Sequence, residues 1–600
     1  SCRGGDFRGR GMEGTIFPMI RRLLLLIGLL APLAPGQSAI HDETGLTALI
    51  KRLGPGNQPS GANVPVGQAE AYFSNGYAPD FGEPQFMGKT FVLKSGPSTP
   101  SGHATLVGWY LYGTSTGISP GIAQVECYEA SNWLGPGFLN GTGAAPPKLA
   151  TVKIFNNSWV GSGGGTNLWL RKLDYAIATQ QLVVCNGVNN GTGPLDYPLL
   201  SNSFNGIAVG RSDGLHKAGN THPAFDGPGR QKPELVAPGP ATSFATPLVA
   251  GAASLLVETA RTDPALSVDP DAERADLLKA VLMAGAKHRP GWSNGAPASG
   301  PSRGSTSQPL DPLNGADQIH VDRSHWILTG GAQPSASSAA AAPLARHAGW
   351  SEAIIGASQS RWWRFDVEAR KGFVSVIATW NREVAASFAT WSMPDLDLEL
   401  WRLDAAGIPQ SLVGDPGLPY FAAGNVQSTS PVDNVEHLFI HGLRPGSYAL
   451  ELRRGSDLLA DWRVGVAWQL YCAEPVLYGN AKTTSLGTAP LLDARGIPSA
   501  AVNDFHLEVS DAVPGASAVL FFGSTPANIP FYGGTLLVQP PITRLPPTTL
   551  DGAGAASLAL SITPAMVGTT LDYQLWFRDP AHPDGTGVGL TNAVEVSFCP

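Results

Sequence analysis

The chain has 600 residues, 43% hydrophobic and 14% charged, with a formal net charge of −8, 72 Gly and 51 Pro. That length implies several domains, and an ordinary apolar content excludes a disordered chain. The mild acidity, with no basic stripe beyond the first residues, speaks against a nucleic-acid partner.

The chain begins with an export pattern. Met19-Ile20-Arg21-Arg22 supplies a charged head, and Leu23 to Leu33 an apolar run too short to cross a bilayer. Ala34-Pro35-Gly36 and Gln37-Ser38-Ala39 then offer small residues for cleavage. Residues 1–39 are expected to be an N-terminal extension with a signal peptide, and the product secreted or held at the cell surface. Asp42 to Leu53 follows, with Leu46, Leu49, Ile50 and Leu53 at helical spacing and Gly54 as the stop.

Within a first domain expected over residues 40–331, residues 60 to about 331 alternate strand-like and helix-like segments, the rhythm of a parallel α/β sheet. Val64-Pro65-Val66-Gly67 stands near the start of this stretch, with Glu70 three residues beyond. His103 sits in Ser-Gly-His-Ala-Thr-Leu-Val-Gly, where a helix opens. Lys153 to Gly161 reads Lys-Ile-Phe-Asn-Asn-Ser-Trp-Val-Gly. Leu170, Leu173 and Ile177 form a helical stripe. Leu182 to Cys185 is an apolar strand that ends in Asn186-Gly187-Val188-Asn189-Asn190-Gly191. Residues 241–254 read Ala-Thr-Ser-Phe-Ala-Thr-Pro-Leu-Val-Ala-Gly-Ala-Ala-Ser. This is a buried small-residue helix with Ser243 at its start and Pro247 placed in the first turn. A hydroxyl there has orphan N–H donors beside it, a good place to stabilise a developing oxyanion.

The 241–254 stretch closely resembles the nucleophile motif of the subtilisin-like serine proteases. His103, Asn189 and Lys232 to Gly239 resemble that family's motifs in the same chain order, with Ala104 and Leu106 as departures around the histidine. The resemblance implies that Ser243 is the nucleophile, His103 the general base and Asn189 an oxyanion donor, with Asn186 and Asn190 competing for the last role. It implies an acid at the end of the first strand, where the family has Asp. Glu70 takes that position, as in the related sedolisins, and Asp80 and Asp42 are the alternatives. It implies that Ser158, Trp159, Val160 and Gly161 bind an extended polypeptide substrate by strand addition. Between Gly239 and Ser243 only three residues remain, fewer than in the family.

Residues 332–345 are Ala/Ser/Pro-rich and read as a linker. Beyond it the period changes to two, giving a β-sandwich over 346–472 and a second β-module over 473–600. The expected fold class is therefore α/β, a subtilisin-like parallel sheet flanked by helices, followed by two antiparallel β-sandwich domains. Asp395, Asp397, Asp433 and Glu436 could supply oxygens to Ca²⁺, the one cofactor considered; no Cys/His spacing suggests zinc. Tyr573 and Trp576 could stack on a sugar in a glycan-binding module. Cys472 and Cys599 bracket the last module and are expected to pair after export. Cys127 and Cys185 are expected to be free core thiols. Two function classes stay open: a secreted monomeric serine endopeptidase with a Ser-His-Glu(Asp) triad, and an inactive surface protein whose β-modules bind glycan or protein.

Overall fold

The structure is a computed structural model. It describes residues 37–598 except 162–166, 196–198, 228, 290, 368–371, 416–418, 473–474, 497, 501–502 and 567–568. Of the export segment expected over residues 1–39, residues 1–36 lie outside the described residues, as does Cys599 of the expected Cys472–Cys599 pair.

The first unit is built on β1 Val66–Glu70, β2 Thr90–Leu93, β3 Gln124–Glu129, β4 Ile154–Asn157, β5 Val183–Gly187, β6 Ile207–Arg211 and β7 Leu235–Ala237. They form one seven-stranded sheet in the order β7-β6-β5-β4-β1-β3-β2, with every neighbouring pair parallel. Pro65 falls just before β1, so its missing N–H removes no ladder bond. Helices α1 Leu46–Leu53, α2 Gly102–Tyr112, α3 Asn167–Gln180, α4 Thr242–Thr262, α5 Ala275–Ala284 and α6 Val321–Thr329 surround the sheet. Cys127 and Cys185 are buried free thiols on strands that do not touch.

Helix α4 is apolar and long enough to cross a membrane, but 89% of its apolar window is buried inside the protein. Its small residues serve packing. A Cβ on Gly251 would lie 1.9 Å from Ile118 Cγ2, so only glycine lets that side chain cross the helix. Because α4 begins at Thr242, Pro247 falls in the second turn and not the first. There its missing N–H leaves the Ser243 carbonyl without the usual i+4 donor. The Ser158 hydroxyl supplies that hydrogen bond instead, at 2.8 Å.

The second unit holds β8 Ala348–Ile355, β9 Ser360–Val367, β10 Gly372–Thr379, β11 Leu396–Leu403, β12 Val435–Leu443, β13 Gly446–Arg454 and β14 Trp462–Cys472. One sheet runs β8-β14-β10-β12 and the other β11-β13-β9, all antiparallel. Trp363, Phe365, Trp380 and Trp468 fill the space between them. This is a β-sandwich, and its other face docks on the first unit. Trp350, Ile377, Val435 and Ala467 belong to the first unit's own hydrophobic core. Gln469 donates to Ala284 O and Asn434 to Phe204 O. Arg382, fully buried, pairs with Asp174 at 2.6 Å and Asp226 at 2.8 Å. Ser305–Thr306 adds to a sandwich sheet beside Gln427–Ser428. The stretch read as a linker is tied down as well: Ala336 exchanges backbone bonds with Trp362, and Ala345 donates to Arg364 O. At the same joint the rings of His288 and His437 lie 5.2 Å apart, beside Phe439 and Trp292.

The third unit, including β15 Ser517–Gly523, β16 Thr570–Arg578 and β17 Val588–Ser597, has its own core. Tyr573 and Trp576 do not make a joint sugar platform. They sit an odd number of residues apart on β16, so they point to opposite faces. Tyr573 is buried in the core and Trp576 packs against Phe521, Leu536 and Val538. The four carboxylates considered for Ca²⁺ are also not gathered. Asp433 and Glu436 accept from Ser430 and Ser428, and Asp397 pairs with Arg453. Among the described residues no group of three or more His, Cys, Asp or Glu is placed to hold a metal ion.

Candidate active site

The chemistry-bearing residues meet at the carboxyl edge of three adjacent strands, β1, β4 and β5, where ligands bind in open α/β sheets. Glu70 is the last residue of β1 and is fully buried. His103 is the second residue of α2. Ser101, not the imidazole, caps that helix, by accepting from Ala104 N, and this leaves the ring free for other work. His103 Nδ1 bonds Glu70 Oε2 at 2.7 Å, with 21% of the histidine side chain still exposed. Burial disfavours the charged imidazolium, but the Glu70 charge and hydrogen bond outweigh it and raise the His103 pKa above its ordinary value.

Asp80 and Asp42, the alternative acids, are both exposed. Asp80 accepts from Gly82 N, and neither bonds the imidazole. Glu70 alone among the three reaches it.

Ser243 is half-buried at the start of α4, which packs on α2. The next residue, Phe244, stacks on Tyr110 at 5.3 Å and lies 5.8 Å from the His103 ring. Among the described residues neither Ser243 Oγ nor Ser243 N–H has a hydrogen-bond partner, and no bond joins Ser243 to His103. Catalytic hydrogen bonds are often long before substrate arrives. The first helical N–H, that of Thr242, is taken by Asn190 Oδ1 at 2.9 Å. Asn186 is also engaged, accepting from Asn157 Nδ2 at 2.9 Å. Asn189 is left: it is half-buried, with Oδ1 unpartnered. Of the three asparagines it alone keeps its side chain out of bonds within the described residues.

Ser158 continues from the end of β4, and its hydroxyl joins the Ser243 carbonyl. Trp159 packs on the core and Val160 is 43% exposed. Gly161 O accepts from Leu199 N at 2.9 Å, so this wall is already bridged at its far end. Sequence reasoning missed Gln68, Tyr112 and Asn156. Gln68 bonds Glu70 and Tyr112, and Asn156 donates to Ser158 Oγ. For Gln68 a signal existed: it precedes Glu70 by two in a strand buried on both faces, so both polar groups share one side.

Residues 100–300 match the family model described as the subtilase family. Among solved structures, a cold-adapted subtilisin-like serine proteinase is similar at 17% identity, covering 37% of this chain and 82% of that one, with a TM-score of 0.27. The MycP3 protease from a type VII (ESX-3) secretion system is similar at 14% identity, covering 48% and 87%, with a TM-score of 0.30. The A-subunit of the AB5 toxin from E. coli is similar at 13% identity, covering 48% and 98%, with a TM-score of 0.32. No curated protein matched.

Proposed function

We propose that this chain is a secreted serine endopeptidase. The single observation that carries the reading is the Glu70–His103 hydrogen bond, set beside a helix start that offers Ser243 and an N–H unpaired among the described residues. Ser243 Oγ attacks the scissile carbonyl of a polypeptide while His103 Nε2 takes its proton. Glu70 holds Nδ1–H and stabilises the imidazolium. The oxyanion accepts from Ser243 N–H and from Asn189 Nδ2. His103 then gives its proton to the leaving amine, the peptide bond breaks, and a water activated by the same histidine releases the acyl group.

The substrate lies along Ser158 to Val160. Pairing at Gly161 O competes with the Leu199 N–H already there. Export rests on the charged-then-apolar start of the chain. A fluorophosphonate probe on the full-length protein tests the reading, because it labels only an activated serine. Labelling lost in Ser243→Ala supports it. A folded protein that never labels between about pH 5 and 9 would leave the inactive scaffold with binding β-modules as the better account.

A further inference from the structure

Glu70 has two oxygens, and His103 uses one. The other, Oε1, accepts from Gln68 Nε2 at 2.9 Å. Gln68 is 1% exposed and every polar atom of its amide is committed. Nε2 also donates to Ala104 O at 3.0 Å, and Oε1 accepts from the Tyr112 hydroxyl at 2.6 Å. The amide has only one way to sit. A carboxylate and a carbonyl can only accept, so both must face its NH₂ end, and the phenol must donate to its oxygen. Tyr112 is buried and its pKa is pushed well above the ordinary value by burial, so it stays a donor at any working pH. Ala104 and Tyr112 lie at the two ends of α2. One side chain thus links the carboxylate, its strand and both ends of the helix that carries His103.

We propose that Gln68, oriented by Tyr112, is a positioning residue that fixes Glu70 for His103 and sets the pH at which His103 becomes a base. The proposal rests on the reading of Glu70, His103 and Ser243 as the catalytic set. The direction follows from charge. With His103 neutral, Glu70 is a buried anion whose donors are the imidazole N–H and Gln68. Losing Gln68 destabilises that deprotonated state more than the state holding a proton between the two groups. The proton is then held more tightly, and the acid limb moves up by about one pH unit.

The test is the second-order rate constant for fluorophosphonate labelling of the full-length protein, per labelled site, from about pH 5 to 9. Gln68→Leu should raise the acid-limb midpoint by about one unit, with roughly tenfold slower labelling on the acid side. Tyr112→Phe, which keeps the fold-filling ring and only frees the amide, should move it in the same direction by less. A purely structural role would lower the labelled fraction and leave the limb in place. An unmoved limb in Tyr112→Phe and in whatever Gln68→Leu folds would overturn the proposal while the wild type still labels. A wild type that never labels would instead overturn the peptidase reading beneath it.

Discussion

Acid should loosen the joint between the α/β unit and the sandwich, and His437→Phe should blunt that effect. His437 is fully buried on β12, and among the described residues its ring nitrogens and those of His288 make no side-chain hydrogen bond that meets standard geometry. Burial pushes His437 from 6.5 down to about 3, against an opposing pull from the Pro309 carbonyl. His288 is also held well below its ordinary value, by burial and then by the charges of His437, Arg323 and His441. The unfolded chain takes up these protons near pH 6.5 and the native one does not. Stability therefore rises with pH, and is lost as pH falls below 6.5 towards the native value. At pH 4.5 the unfolded His437 sits two units below its pKa, which costs the native state about 3 kcal/mol. The two units that share a core should unfold together. At about 2 cal/mol/K per residue their unfolding entropy is about 1 kcal/mol/K, so 3 kcal/mol corresponds to about 3 °C. The assay is the thermal midpoint of wild type and His437→Phe at pH 7.5 and 4.5. Any packing offset of the phenylalanine is the same at both pH values and cancels. The variant should lose about 3 °C less than wild type on acidification. Equal losses would show that the native state protonates His437 as readily as the unfolded chain does.

Glu70→Gln should keep the fold and cut labelling of Ser243 by roughly 10³–10⁴, because an amide cannot stabilise the imidazolium; Asp80→Asn should leave the rate unchanged. Asn189→Ala should lower peptidase turnover by roughly 10²–10³ while Ser243 remains accessible, measured as kcat/KM on a peptide that the wild type cleaves. Wild-type activity should fall as pH drops through a midpoint above 6.5, since the His103 pKa is raised and only the neutral ring accepts a proton. Residues 40–331 alone should be poorly soluble and bind an apolar dye, because Trp350, Ile377, Val435 and Ala467 complete their core; a monodisperse fragment that labels like the full chain would contradict this.

The sequence was most legible where function is written locally. The stretch from Ala241 to Ser254 specifies both helix α4 and the residue at its start, and the apolar run before Gly187 specifies β5 and the asparagines beyond it. Glu70 was reachable through the family resemblance, by laying Val64 to Gly67 on the first strand of that family; Pro65, which made this register awkward, sits outside the ladder. The rest depends on partners distant in sequence. Nothing around Gln68 says that Tyr112 will donate to it, since their contact spans 44 positions. Nothing in residues 332–345 says that their backbone will be claimed by β9. Asp433 and Glu436 look like ligands until Ser428 and Ser430 fold back to satisfy them. Tyr573 and Trp576 part company in space, Tyr573 in the module's core and Trp576 in a separate apolar cluster, which an odd spacing on one strand allows.

Pro247 has an effect that reaches beyond its own helix. By withholding one N–H it frees the carbonyl of Ser243, and that carbonyl is clasped by Ser158, the first residue of the wall along which substrate is proposed to lie. Asn156 in turn steadies Ser158 from the strand below. The start of α4 at Ser243 and the strand end at Ser158 are thus one mechanical part. On the proposed reading, a polypeptide pressing on residues 158–160 would bear on the backbone of Ser243, so occupancy of the cleft and the posture of that serine would be set together.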